Sequence, residues 1–396
     1  TLSWRYRGQV NRSRDALQYE LDITDVSLGD EPTLTANGVV RADGMAIYEL
    51  TGLAVRFARA PEAVEEPLTR PAPHSALLDE LIVDGDTAVG RLRLDPAVHP
   101  WLRDHAPTLV IPAVPMAFAA EIAAEAARAL HPDGVITGLP QVQAESWIHT
   151  ADGPRDLLVT AIRDGDHVAV TLALHHDNPK FPALSGPKVH MRAVVALADA
   201  WPEAPAAPGP LADGEPMSLS ARDYYDGGLT FHGPVLQAVQ TFHERSDTAI
   251  RATFRTRPDA DLLPPDSPAF VLDPLLLDAA THPMFSGSPE LWNADIGPGK
   301  LAYPVRCDDL RLYGPRPTGE VQCHLTLVQA TRELLVFDVT LNGTDGVWAT
   351  FRWSEALVAG GPVLGAGADA AATFKTFQRD SGYNVFVLYA LVGVVW

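Results

Sequence analysis

The chain has 396 residues, enough for two or three packing units, and its 46% hydrophobic and 8% aromatic content excludes wholesale disorder. A formal net charge of −20 argues against nucleic acid and anionic membranes as partners, since both demand concentrated Lys and Arg. Two cysteines, Cys307 and Cys323, make no disulfide framework and are expected as reduced thiols of a cytoplasmic protein.

The chain opens on Thr1 with no signal peptide and is expected to be an excerpt of a longer polypeptide. Strands are expected at 19–26, 88–94, 157–162, 168–174, 189–197 and 320–328, where residues alternate or run apolar over strand lengths. Turn signals such as Asp164-Gly165-Asp166 and Gly343-Thr344-Asp345-Gly346 bound them. A weak joint falls at 60–73, and the Pro-, Ala- and acid-rich stretch 200–216 reads as a semi-rigid linker. Two segments read as helices. PMAFAAEIAAEAARAL at 115–130 opens on a proline suited to a first turn and is apolar nearly all round, so it needs burial. DPLLLDAATHPM at 273–284 starts with an aspartate able to cap it. A Gly/Ala-rich stretch, 359–372, precedes a tail of unknown role, whose last apolar run of 12 residues, 385–396, is too short to span a bilayer.

Each half between the joints, 66–201 and 217–358 about a linker at 202–216, thus holds one helix among strands. The pattern predicts an α+β double hotdog, two curled antiparallel sheets each wrapped around a central helix, and suggests an internal duplication.

Chemistry-bearing residues gather at two places. His99-Pro100-Trp101-Leu102-Arg103-Asp104-His105 leads into the first helix, whose opening N–H groups have no intrahelical partner and can stabilise an oxyanion. In the second helix Asp278 and His282, four apart, share one face. A histidine and a carboxylic acid suit β-elimination, one removing the α-proton and the other protonating the departing hydroxyl. The remaining histidines show no metal-ligand spacing, no Gly-rich loop follows a strand, and no GxSxG elbow occurs, so neither metal nor nucleotide cofactor is expected.

Four segments in order resemble the dehydratases of modular polyketide synthases. HPWLRDH with its following proline is similar to the family's DH dipeptide and HxxxGxxxxP motif. Tyr225 to Gln237 resembles the GYxYGPxF segment, Leu272 to His282 the HPxLLDxxxQ/H segment, and Leu301-Ala302-Tyr303-Pro304 the LPFxW strand. The resemblance implies dehydration of a β-hydroxyacyl thioester carried on the phosphopantetheine of an acyl carrier protein, among neighbouring synthase domains and with homodimerisation usual. By position it makes His105 the general base, Asp278 the general acid and His282 the residue orienting Asp278. Leu109, Pro112, Phe231, His232, Gly233, Pro234 and Tyr303 fall at substrate-lining positions. Two departures stand out. Leu109 replaces the motif glycine, and Pro112 comes at +7 where the family has its proline at +9, a loop two residues short. Leu229 and Phe231 stand where tyrosines are usual. Arg306, Arg311 and Arg316 are expected near the rim, facing an acidic carrier protein. Residues 1–59 look similar to the closing strands of dehydratases from multidomain polyunsaturated-fatty-acid synthases, and are expected to be a partial hotdog, the tail of an upstream unit, the alternative being a strand appendage that pairs with the first full hotdog. The alternatives on the same fold are an inactive acyl-binding scaffold, an isomerase or cyclase, and a thioesterase.

Overall fold

Period-two patterning carries most of the chain into antiparallel strands. In Thr87–Leu94, for example, Ala88, Leu92 and Leu94 face inward and the arginines between them face out. The structure, a computed structural model, describes residues 3–6, 16–28, 33–56, 75–107, 112–150, 153–176, 185–227, 229–297 and 300–359. The chain divides into two compact units, Thr1–Thr69 and Arg70–Trp396. The joint expected at 60–73 and the tail from 360 onward lie outside the described residues.

The first unit is one sheet of β1 (Ser3–Tyr6), β2 (Leu17–Ser27), β3 (Thr33–Ala42) and β4 (Met45–Arg56), in the order β1-β4-β3-β2. Asp43 and Gly44, both at positive φ, make the tight turn between β3 and β4 that a right-twisted hairpin favours. Ala36, Val40, Ala42 and Ile47 form its small buried face.

The second unit holds β5 (Glu80–Asp84), β6 (Thr87–Leu94), α1 (Pro100–Arg103), α2 (Met116–Ala129), β7 (Val135–Ala144), β8 (Arg155–Asp164), β9 (His167–His176) and β10 (Gly186–Ala198) in its first half. The second half has β11 (Glu215–Pro216), α3 (Ala221–Asp226), β12 (Val239–Arg245), β13 (Ala249–Arg255), α4 (Pro274–Ala279), β14 (Lys300–Leu312), β15 (Glu320–Ala330), β16 (Leu334–Gly343) and β17 (Gly346–Ala359). All thirteen strands make one continuous sheet, β11-β12-β13-β15-β16-β17-β14-β7-β10-β9-β8-β6-β5. The halves join where β7 pairs with β14, and Gly138 makes that junction possible: a Cβ there would lie 2.0 Å from the Leu310 carbonyl oxygen.

Helix α2 is the core of the first hotdog, buried from Met116 through Ala127. Its alanines let the strands close around it, and it packs on α4, the short helix of the second hotdog. Trp101 of α1 stacks on Phe118 at 4.5 Å, worth roughly 0.5–1.5 kcal/mol beyond the area buried. Two carboxylates break the apolar face. Glu121 accepts from the N–H groups of Val271 and Leu272, both at 2.6 Å, which ties α2 to the segment leading into α4. Glu125 accepts from Ala76 and Leu77, each at 3.1 Å, and burial pushes its carboxyl up to about 7.

Three expectations need correction. The helix expected over 273–284 stops at Ala279, and His282–Met284 forms a separate 3-10 turn. Pro283 accounts for this, because proline lacks the N–H and clashes with the carbonyl four residues back. Arg316 does not wait at the rim. It forms a bidentate pair with Asp259 at 2.6 and 2.8 Å and reaches the capping carboxylate of Asp273 at 3.5 Å. The stretch expected to be linker up to 216 ends sooner, because Glu215–Pro216 is drawn into the sheet edge beside β12.

Candidate active site

His105 follows the short turn of α1 and is held at both ends. Its backbone carbonyl accepts from Ala113 N–H at 3.0 Å, and its ring Nδ1 donates to the Ala113 carbonyl at 2.7 Å. That bond commits the Nδ1 proton, so Nε2 keeps its lone pair. Burial lowers the ring's affinity for a second proton, with the Asp278 carboxylate and the Ala113 carbonyl opposing. The imidazole is therefore neutral at neutral pH.

The segment 229–236 of the second half lies directly against this turn. His105 and His232 form an isolated antiparallel bridge. Gly233 N–H donates to the Asp104 carbonyl at 2.7 Å, and Val235 N–H to the Asp104 carboxylate at 3.0 Å. Only glycine allows this approach, since a Cβ at position 233 would stand 2.6 Å from Asp104 Cγ. His232 is buried, its Nδ1 hydrogen-bonded to the Thr230 hydroxyl, and desolvation lowers its pKa well below the usual histidine value.

Asp278 arrives from α4. Asp273 caps that helix by accepting from Leu276 N–H at 3.0 Å, and Pro274 fills its first turn. The Asp278 Oδ2 atom is 3.4 Å from His232 Nε2 and 3.8 Å from His282 Nε2. Neither contact has hydrogen-bond geometry, so Asp278 Oδ2 and His282 Nε2 are both buried without a hydrogen-bond partner. Unmade bonds of this kind are costly in a core and mark a place prepared for something else to bind. His282 is fixed from behind by the Tyr225 hydroxyl at 2.9 Å from Nδ1 and by the Tyr224 hydroxyl, which donates to its carbonyl at 2.7 Å. Tyr225 in turn accepts from Val239 N–H at 3.1 Å.

His105, His232 and Asp278 each bring a titrating atom to one point, all within 4.8 Å of one another. The pairing of His105 with Asp278 expected across the halves is thus present as geometry, and His282 sits beside it although it lies outside the helix. Phe231 stacks on His232 and meets His105 edge-on, with centroids at 4.4 and 5.2 Å. A cavity of about 60 Å³ opens beside His105, lined among others by Ala113, Met116, Trp147, His190 and Tyr303. Of the expected substrate-lining residues, Tyr303 is in that wall. Gly233 serves the backbone contact instead, and Pro234 turns its carbonyl to Arg257. Pro112 accepts from Thr150 N–H at 3.1 Å, and Leu109 lies outside the described residues. A larger open depression, about 500 Å³, is lined by Asp213, Glu215, Arg245 and Asp247 and touches none of these groups.

Sequence reasoning assigned His232 to the tunnel and did not see that it stands beside both His105 and Asp278. Aligned on Gly-Pro, the two tyrosines of the family's GYxYGPxF segment fall at Thr230 and His232, which corrects the expectation that Leu229 and Phe231 stand in their place. Glu355 was also missed. Strand β17 buries Phe351, Trp353, Glu355 and Leu357 in alternation, so the period-two pattern was there to place this acid inside. Burial, with the Asp278 charge adding to it, pushes Glu355 up to about 8, and Ser286 hydrogen-bonds to it at 3.2 Å.

Comparison with known proteins agrees with this architecture. Residues 203–355 match the family described as polyketide synthase dehydratase N-terminal domain, which here covers the linker and most of the second hotdog. Polyketide synthase GfsE of Streptomyces halstedii is 26% identical over 253 residues, a stretch that covers 59% of this chain and 6% of that protein. The dehydratase domain of PpsC from Mycobacterium tuberculosis, solved in complex with C12:1-CoA, shares 24% identity at a TM-score of 0.55, covering 72% of this chain and all of its own. A trans-AT polyketide synthase dehydratase domain from Brevibacillus brevis has 16% identity and a TM-score of 0.58, covering 73% of this chain and 100% of its own. The bifunctional dehydratase-cyclase domain of ambruticin biosynthesis aligns at 0.51 with 19% identity, over 77% of this chain and 99% of its own. At such identities the solved structures establish the double hotdog.

Proposed function

We propose that this chain, which carries a polyketide synthase dehydratase domain on a double hotdog, removes water from a β-hydroxyacyl thioester held on an acyl carrier protein. The observation that carries the reading is the meeting of a neutral, buried imidazole from one hotdog with a carboxyl group from the other, within 4.8 Å. An inactive scaffold has no use for such a pair, nor for the two unpartnered buried atoms at its centre.

The chemistry balances with these groups alone. His105 Nε2 takes the α-proton, and the electron pair moves into the thioester carbonyl. The first-turn N–H groups of α2, near Met116 in the cavity wall, stabilise the oxygen as it gains charge. As the double bond forms, Asp278 in its acid form gives its proton to the β-hydroxyl, which leaves as water. One proton has then passed from Asp278 to the water and one from substrate to His105. Return of a proton from His105 to Asp278, with His232 beside both, resets the site. Acid–base assistance of this kind is worth roughly 10²–10⁴ in rate. No redox or nucleotide cofactor enters, and the substrate brings its own phosphopantetheine.

The domain would act beside other synthase domains. We read residues 1–59 as the closing strands of an upstream hotdog unit, and Arg306 and Arg311, exposed on β14, as the carrier-facing cations. The test is incubation of the full chain with a 3-hydroxyacyl thioester and mass and absorbance analysis of the product. Loss of one water with the absorbance of a conjugated enoyl thioester is expected. An unchanged thioester, or a cyclised product without that absorbance, contradicts the reading.

A further inference from the structure

We propose that the same pocket is a binding site for a divalent transition-metal ion of the zinc class, held by His105, His232 and Asp278. The ion would block elimination by occupying the lone pair that His105 needs; this blocking clause alone rests on the dehydratase reading. The elimination calls for no metal, and it is the additional imidazole of His232 that changes the donor set.

The geometry fits. An ion bonded to nitrogen and oxygen at ~2.0–2.1 Å in tetrahedral coordination holds its ligand atoms about 3.3–3.4 Å apart. His232 Nε2 and Asp278 Oδ2 are already 3.4 Å apart, and all three donors lie within 4.8 Å of one another, a gap that small side-chain rotations close. The far nitrogen of each imidazole is engaged, His105 Nδ1 by the Ala113 carbonyl and His232 Nδ1 by the Thr230 hydroxyl. Outer partners of this sort fix the tautomer and orientation of metal-bound histidines. The main-chain bridge between positions 105 and 232 fixes both ligand backbones before any ion arrives.

A second observation points to a ligand independently of the cluster. Asp278 is 4% exposed and His282 1%, and the atoms they turn to the centre, Oδ2 and Nε2, have no hydrogen-bond partner. An ion satisfies the carboxylate oxygen directly. The fourth position then falls to water or to His282 Nε2, 3.8 Å from that oxygen. Two imidazoles and one carboxylate select zinc, cobalt or nickel over calcium and magnesium, which prefer all-oxygen shells.

The experiment is titration of the metal-free full chain with Co²⁺, followed by its visible absorption, with Zn²⁺ calorimetry in parallel. We expect the intense d–d band of a low-coordinate site saturating at one equivalent. Affinity should fall about tenfold or more in Asp278→Asn and in both His232→Phe and His232→Tyr, the last keeping an aromatic ring with a polar tip. A His176→Ala variant provides the control, because it breaks the other close histidine pair, His176 and His190 with Nε2 atoms 2.9 Å apart, and His176 lies in neither the cluster nor the cavity wall. It should bind as the parent does. On the unaltered chain, the zinc K-edge spectrum should show imidazole scattering together with an oxygen ligand, a readout that needs no variant to fold. Absence of the band, its survival in the His232 and Asp278 variants, its loss in His176→Ala, or an all-oxygen K-edge shell each overturns the proposal. Because these readouts do not use turnover, a chain without dehydratase activity still reports on the metal site. Binding without slowed dehydration in an active chain defeats only the blocking clause.

Discussion

A methyl group added at Gly233 would meet Asp104 Cγ at 2.6 Å, and Asp104 is the residue next to His105. Gly233→Ala is therefore expected to push the 229–236 segment off the His105 turn. A shift near 1 Å costs about 10²-fold in rate. Steady-state kinetics should show that loss in kcat while thermal unfolding moves little. The protonation of His105 gives a second residue-scale prediction. Its folded pKa lies below 6.5 because burial disfavours the cation, and the neutral ring is the working form. The acid limb of kcat/KM should thus fall with a midpoint below 6.5, and a midpoint above it contradicts the neutral-base reading. The residues themselves were unevenly legible. His105 and Asp278 stand in motifs that the chain order preserves, whereas the nearness of His232 to Asp278 depends on a backbone bridge between positions 105 and 232 that no local pattern encodes.

The elements show where local signals suffice. Helix α2 was readable because alanine-rich apolar sequence on a proline start has few alternatives, and Met116–Ala129 lies within the expected 115–130. The expectation for α4 ran too long since the apolar run through Ala280 masks the effect of Pro283. Glu121 and Glu125 look like ordinary helix-surface acids in sequence. Burial makes them the acceptors that hold the second hotdog's entry segment and the 75–78 turn to α2. Glu121→Ala leaves the N–H groups of Val271 and Leu272 without an acceptor, at roughly 1–3 kcal/mol for each. Urea unfolding should register that loss, and because this segment delivers α4, kcat should fall as well. Unchanged stability would show that the contact is not the tie between helices.

At the scale of the molecule, the double hotdog was legible from one helix per half among alternating strands. What the sequence did not reveal is the continuity of the sheet, because the β7–β14 pairing joins Gly138 to Arg311 across more than a hundred residues and depends on a glycine whose role appears only in three dimensions. Within the first unit, Tyr19, Leu21 and Ile23 leave one face of the edge strand β2 apolar and more than half exposed. An exposed apolar face of this kind marks a contact surface. Among the described residues no helix is long and apolar enough to cross a membrane. Carrier docking belongs to this scale too. Arg311→Glu should lower turnover of carrier-bound substrate while leaving small thioester mimics untouched, and equal effects on both would remove Arg311 from the docking surface.

The most direct test compares dehydration of one 3-hydroxyacyl thioester by the full chain, by His105→Phe and by Asp278→Asn, following the enoyl product by mass. The account predicts product from the parent and a loss of roughly 10²-fold or more in each variant, with folding retained. Undiminished product from either folded variant, or none from the folded parent, would contradict it.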